Sequence, residues 1–415
     1  MIQNLTALFS ENANSMQSST IRELLKITQQ PGIISFAGGL PAPDLFPVEI
    51  LKEITAEVLD SDSAQALQYG ATEGEKHLRE ILLRRYQKEG IQAALKNIII
   101  TTASQQSIDI ISRIFLNPGD TVVCELPSYL AALQTFAACR AQPAGIRQIS
   151  QLEATLKKLI AENRKPKFIY LIPDFQNPSG TTLSLDERIT ALRLAHHYNI
   201  PIVEDAPYRE LRFEGTPIPS LYQLDGTGHV ITLGTFSKIF VPGFRLGWLL
   251  AHEDIITKAT IAKQSIDLCS PVFDQKITAR FFDRGLFEGN LQKIIHAYRQ
   301  KRDAMLDALD RHMPEGVTWT RPQGGLFLFL SLPETMDAKE LFQLALRQNV
   351  AFVLGEDFHC DGSGKNTLRI NFSYMSREQN EEGIIRLANA IKTLREETGK
   401  RGKGGKGEEV ETVKR

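Results

Sequence analysis

Six short runs of aliphatic and β-branched residues punctuate the chain between residues 97 and 251: NIIITT (97–102), TVVCE (121–125), KFIYLI (167–172), IPIVED (200–205), HVITLG (229–234) and LGWLLA (246–251). Runs this continuous suit strands covered on both faces, and helical stretches such as 105–115 and 185–198 fall between them. The alternation predicts an α/β fold: a mostly parallel central sheet with flanking helices. A long helical stretch at 287–312 is followed by VTWT, GGLFLFL, VAFVL and TLRINFS, with helices near 338–347 and 377–396. That pattern predicts a smaller α+β domain. The expected division is an N-terminal arm over 1–45, a large domain over 46–285, a small domain over 286–398 and a disordered tail over 399–415. Within the arm, Ser19-Thr20 and IRELLKIT read as a capped short helix.

With 415 residues, 42% of them hydrophobic, the chain can bury a sizeable core, and a formal net charge of −1 offers no field for nucleic acid or an anionic membrane. The N-terminus has no basic segment followed by an apolar one, and no run reaches membrane length. Cys124, Cys139, Cys269 and Cys360 are widely spaced and read as free thiols. A cytoplasmic protein is expected. The tail holds a formal GxGxxG at Gly402, Gly404 and Gly407, but a dinucleotide fingerprint needs a strand before it and a helix after it. The adjacent His196 and His197 point about 100° apart on a helix and cannot chelate one metal together. His359-Cys360 lies in a polar loop, and no metal site is expected.

Polar residues collect just past the predicted strand ends. Lys238 closes HVITLGTFSK, with Thr235 and Ser237 before it and Arg245 after it in PGFRLG. A lysine taken singly is usually a solvated surface residue, but hydroxyls beside a guanidinium are what a phosphate dianion needs. Asp205 ends IPIVED with Tyr208 three residues on; it can meet a protonated pyridine nitrogen or merely cap a helix. Glu204 alternates to the opposite face. Ser104 and Gln105 open a helix after NIIITT, either as a phosphate-binding N-terminus or as an ordinary cap. Asn177 in PDFQNPSG is a turn residue or a donor to a phenolic oxygen, and Tyr129 in ELPSYL is a core aromatic or a ring-stacking partner. Together these groups meet the demands of pyridoxal 5'-phosphate: an amine, a carboxylate for the ring nitrogen, phosphate donors and partners for O3' and the ring face.

The motifs IRELLK, SFAGGLP, QYGATEGEKHLRE, TTASQQ, ELPSY, QNPSG, EDAPY, GTFSKIFVPGFRLGW, PQGGLF and LRINFS run in order from about residue 15 to 395. In them the chain resembles the fold-type I, class I aminotransferases, closest to the 2-aminoadipate and kynurenine branch. The resemblance implies a Schiff base at Lys238 and an Asp205 that keeps the pyridine nitrogen protonated. It gives Asn177 and Tyr208 to O3', Tyr129 to the ring, and Ser104, Gln105, Thr235, Ser237 and Arg245 to the phosphate. Tyr69 would reach the phosphate of the other subunit, which implies a homodimer. Arg369 and Gly39 would hold the substrate α-carboxylate, and Arg22 an acidic substrate's distal carboxylate. Relatives usually carry Gly where this chain has Ala103, a change that matters if φ is positive there.

The implied activity moves an amino group from an L-α-amino acid (2-aminoadipate, glutamate, aromatic or branched-chain) to a 2-oxo acid such as 2-oxoglutarate. Two alternatives stand beside it. A β-lyase or other Cα reaction can run on the same scaffold. A transcription regulator's ligand-sensing domain would need a DNA-binding module, and the residues before the α/β region match the enzyme's arm instead.

Overall fold

The computed structural model describes residues 5–15 and 32–404. In chain order its strands are β1 (Ile34–Ser35), β2 (Ile98–Thr102), β3 (Thr121–Glu125), β4 (Gln142–Ile146), β5 (Ile169–Leu171), β6 (Ile202–Asp205) and β7 (Val230–Thr235). They continue with β8 (Leu246–Leu250), β9 (Thr318–Trp319), β10 (Phe327–Ser331), β11 (Val350–Ala351), β12 (Val353–Leu354) and β13 (Thr367–Asn371). Seven form one sheet in the order β2-β8-β7-β6-β5-β3-β4, in which only β8 runs against the rest. Each of the six apolar runs supplies one of its strands, and β5, β6, β7 and β8 are buried along their whole length. The fold class is therefore the expected one.

The seventh strand, β4 (QPAGI), gave no signal in the sequence. Pro143 and Gly145 lower its strand propensity, and it sits at the sheet's edge, where a missing ladder donor is tolerated. In the smaller α+β part, β12, β13, β10 and β9 form an antiparallel sheet against the helices Phe287–His312, Ala338–Arg347 and Arg377–Gly404. The run VAFVL divides between two sheets: β12 pairs with β13, while β11 pairs in parallel with β1. The arm is thus tied to the small domain by backbone bonds from Ile34 N–H to Asn349 and from Phe36 N–H to Ala351. The last helix runs to Gly404, past residue 398, where the tail was expected to begin, and carries Gly402 and Gly404 of the formal GxGxxG with it. No helix among the described residues is long and apolar enough to cross a membrane.

The loop after β5 is held from beneath. Arg188, fully buried on the helix Leu185–Tyr198, donates to the carbonyls of Leu183, Pro219 and Pro173, each at 3.1 Å, and to Asp174 Oδ1 at 2.8 Å. One guanidinium thus satisfies four acceptors around the segment that carries Asn177. Arg188→Ala would leave the Leu183 and Pro219 carbonyls without this donor and Asp174 with only the longer contact from Arg212, and a loss of about 3–5 kcal/mol is expected. Denaturant titration checks it; a loss below ~1 kcal/mol would show that the loop is held by other contacts.

Candidate active site

In a parallel sheet, every β-to-α connection leaves the carboxyl edge, so residues following different strands gather at one rim. Here the rim encloses a cavity of about 260 Å³. Its wall takes Ala103, Ser104 and Gln105 from beyond β2, Tyr129 from beyond β3, and Ile172 and Asn177 from beyond β5. From the next connections come Asp205, Pro207, Tyr208, Thr235, Ser237 and Lys238. Arg245 joins them because β8 runs the other way and begins at this edge. Gly39, Phe327 and Arg369 close the cavity from the arm and the small domain's sheet.

Lys238 donates from Nζ to the Gly39 carbonyl at 2.8 Å. Burial, and then the cations Arg245 and Arg369, lower its pKa to about 8. Asp205, buried at the end of β6, accepts from the Tyr170 hydroxyl at Oδ2 over 2.6 Å. Its Oδ1 has no partner among the described residues. Burial pushes the carboxyl up to about 7, with the Tyr170 bond acting in the opposite direction. Glu204 points the other way, as its alternation predicts, and accepts from Leu221 N–H, Tyr222 N–H and the Thr232 hydroxyl.

On one side of the lysine, the Thr235 and Ser237 hydroxyls lie 3.0 Å apart, and Arg245 reaches Ser237 Oγ at 3.4 Å. On the other, Arg369 is buried between the rings of Phe327 and Phe358 and donates to Asn177 Oδ1 at 2.8 Å and to the Ala37 carbonyl at 2.6 Å. Burial lowers its pKa to about 10. Because Asn177 accepts from Arg369 through its oxygen, its amide N–H2 is left facing the Tyr208 side, where the two side chains hydrogen-bond. Tyr129 donates to Gln105 Oε1 at 3.3 Å.

Ala103 adopts φ +59, the left-handed conformation in which a Cβ carries strain. The methyl is therefore not neutral in this loop. An αL residue followed by a right-handed turn aims successive backbone N–H groups into one concavity. Gly247 on β8 makes room: a Cβ there would lie 2.7 Å from the Ala103 carbonyl carbon and 2.8 Å from the Ser104 nitrogen.

Tyr69 is 79% exposed and outside its own chain's cavity, and Arg22 falls outside the described residues. Phe327, Ile172 and Pro207 also line the cavity and Tyr170 supports Asp205, none of them expected from the sequence; Tyr170 alone carries a signal, since it lies one strand over from Asp205 on an apolar run. Neither His359 nor Cys360 stands free: His359 Nδ1 donates to the Gly355 carbonyl, and the Cys360 thiol meets that of Cys124. Ala103→Gly is expected to change stability by less than ~1 kcal/mol, relief of strain offsetting the freer unfolded chain. Ala103→Val, β-branched at positive φ, is expected to cost about 1–3 kcal/mol, and thermal unfolding distinguishes the two.

Known proteins share this architecture. Residues 40–387 match the family described as Aminotransferase class I and II. The aromatic-amino-acid aminotransferase 1 of Thermococcus litoralis is 47% identical over 92% of this chain and 94% of its own. The 2-aminoadipate transaminase of Thermus thermophilus is 42% identical over 93% of this chain and 97% of its own. The kynurenine aminotransferase of Pyrococcus horikoshii, solved with PMP, superposes with a TM-score of 0.91 at 45% identity, covering 94% of this chain and 98% of that one. With a cavity lined by a lysine, a buried carboxylate and two arginines at the carboxyl edge of its sheet, this chain belongs to the class I and II aminotransferases.

Proposed function

We propose that the cavity holds pyridoxal 5'-phosphate and that the enzyme works by a ping-pong cycle between an L-α-amino acid and a 2-oxo acid such as 2-oxoglutarate. The observation that carries the reading is the buried Asp205 Oδ1, without a partner among the described residues, in the same cavity as Lys238. A buried carboxylate oxygen without a partner wants a cationic donor, and a pyridinium N–H is one. The hydroxyls of Ser104, Thr235 and Ser237, the Gln105 backbone and the Arg245 guanidinium fit the phosphate. Asn177 and Tyr208 fit the phenolic oxygen, and Tyr129 the ring face.

When bound, the cofactor supplies an electron sink that stabilises charge developing at the substrate's Cα. Lys238 would hold it through its ε-amine and, with that amine neutral, would carry the substrate's Cα proton. Asp205 keeps the ring nitrogen protonated. Arg369 grips the α-carboxylate as a two-pronged donor, with the Gly39 backbone beside it, and so fixes which Cα bond stands perpendicular to the ring. Tyr69, exposed on its own chain, completes the phosphate site of a second copy, so the working unit is a homodimer. The free thiols suit a cytoplasmic setting.

Lys238→Ala is expected to abolish turnover and the visible absorbance of the lysine-bound cofactor. The capture step needs a neutral amine, and in the folded protein that form appears above pH about 8 instead of above the ordinary 10.5. The rate at which cofactor-free enzyme takes up pyridoxal phosphate should therefore rise through a midpoint near pH 8; a midpoint near 10 would remove Lys238 from the role.

The donor classes proposed are 2-aminoadipate, glutamate, and aromatic and branched-chain amino acids; the relatives' names include aromatic amino acids and 2-aminoadipate. A donor panel with 2-oxoglutarate or pyruvate as acceptor measures it, and release of pyruvate and ammonia from a β-substituted donor would instead mark a lyase. Arg22→Ala should raise KM for 2-aminoadipate or glutamate about tenfold more than for leucine, the value of one charge-assisted hydrogen bond. Equal effects on all donors would dismiss the contact.

A further inference from the structure

Three potential metal ligands from separate segments converge at the edge of the large sheet opposite the cavity. His196 lies in the last turn of the helix Leu185–Tyr198, Asp225 ends the short helix Leu221–Asp225, and His229 immediately precedes β7. A ring nitrogen of each histidine and a carboxylate oxygen of Asp225 all lie within 4.8 Å of one another. His196 Nε2 is 2.7 Å from Asp225 Oδ1. The Thr227 hydroxyl sits among them, bonded to Asp225 Oδ1 and lying 3.0 Å from His196 Nε2 and 2.9 Å from His229 Nδ1.

Two further bonds fix the ligand atoms. Asn199 Oδ1 lies 3.1 Å from His229 Nε2 and, being an acceptor, takes that nitrogen's proton, which leaves the Nδ1 lone pair turned towards the cluster. Val230 N–H donates to Asp225 Oδ2 at 3.1 Å, so Oδ1 faces inward. The turn that joins the two ligands, Asp-Gly-Thr-Gly-His, bends through Gly226 at φ +60 and Gly228 at φ +84. His197, whose ring packs on Tyr198, takes no part.

We propose that His196, Asp225 and His229 bind a divalent cation of the zinc type, with the Thr227 hydroxyl or a water as fourth ligand. Two imidazoles and one carboxylate are a borderline donor set suited to Zn2+, whereas Ca2+ and Mg2+ require oxygen ligands. A tetrahedral ion with bonds near 2.0–2.1 Å holds its ligands roughly 3.3 Å apart, so His196 Nε2 and Asp225 Oδ1, now 2.7 Å apart, open slightly, an adjustment that the two partly exposed histidines can make by rotating. The site is structural. It lies at the start of β7, roughly 20 Å along the strand from the catalytic rim, and ties that strand to two helices.

The test uses the cofactor-loaded enzyme, stripped of metal with a chelator and titrated with Zn2+ by calorimetry. One ion per chain is expected to bind with a micromolar or tighter constant. His196→Ala and His229→Ala should each weaken it by at least about tenfold, and Asn199→Ala by about tenfold, all without loss of transaminase turnover. As a control on folding, Zn2+ should raise the unfolding temperature of the unaltered enzyme and leave that of His229→Gln unmoved. No saturable binding below about 1 mM would overturn the proposal. So would unchanged affinity in both histidine variants, because the ion would then be held elsewhere.

Discussion

Asp205 is buried at the end of β6 with one carboxylate oxygen bonded to Tyr170 and the other without a partner among the described residues. A carboxyl in that setting either keeps a proton or meets a cation, and its pKa, pushed up to about 7, leaves it balanced between the two near neutrality. The surrounding fold maintains that balance. Strand β6 lies inside the sheet between β5 and β7, and the carboxylate at its end is buried, facing only the cavity that it helps to line. Tyr170, on β5, supplies one neutral donor and no charge. The ring nitrogen of the proposed cofactor would be the compensating cation, and a low dielectric strengthens that pairing.

Charge is divided across the cavity. The carboxylate lies under one end, and Arg245 and Arg369 stand towards the others, where they add to the effect of burial in holding Lys238 below its ordinary pKa. The same two cations that suit a phosphate and a carboxylate also keep the lysine amine reactive. Arg369 is further coupled to Asn177 through a 2.8 Å bond, so the group proposed to grip substrate and the group proposed to meet the phenolic oxygen share one network. Side chains tied in this way lose little further freedom when a ligand arrives.

Most of this was legible in the sequence, because the strands are short, apolar and buried on both faces, and polar residues stand out at their ends. Lys238, Asp205, Asn177, Tyr129 and Arg245 each follow or flank such a run, and all line the cavity. Less visible were features set by tertiary contact. Strand β4 carries a proline that only an edge tolerates. Phe327 reads as one more core aromatic until β10 brings it against Arg369 and Tyr208. Arg188 reads as a surface residue of an amphipathic helix, yet it is fully buried because four acceptors from distant loops converge on it. His196 and Asp225 are 29 positions apart, and no local spacing joins them.

Ala103 shows how such a structure absorbs a departure from its pattern. At φ +59 a methyl costs of the order of 1–2 kcal/mol, which a glycine would avoid. The chain still needs that conformation, since it turns the backbone from β2 into the helix Ala103–Phe115, whose first residues line the cavity. The clearance comes from β8, whose Gly247 pairs with Thr101 and leaves the neighbouring backbone uncrowded. Strain at one residue is thus sustained by a small residue on the adjacent strand. Any side chain at Gly247 would press on the Ala103–Ser104 peptide, so the glycine on β8 matters more to the proposed phosphate loop than the residue that bears the positive φ.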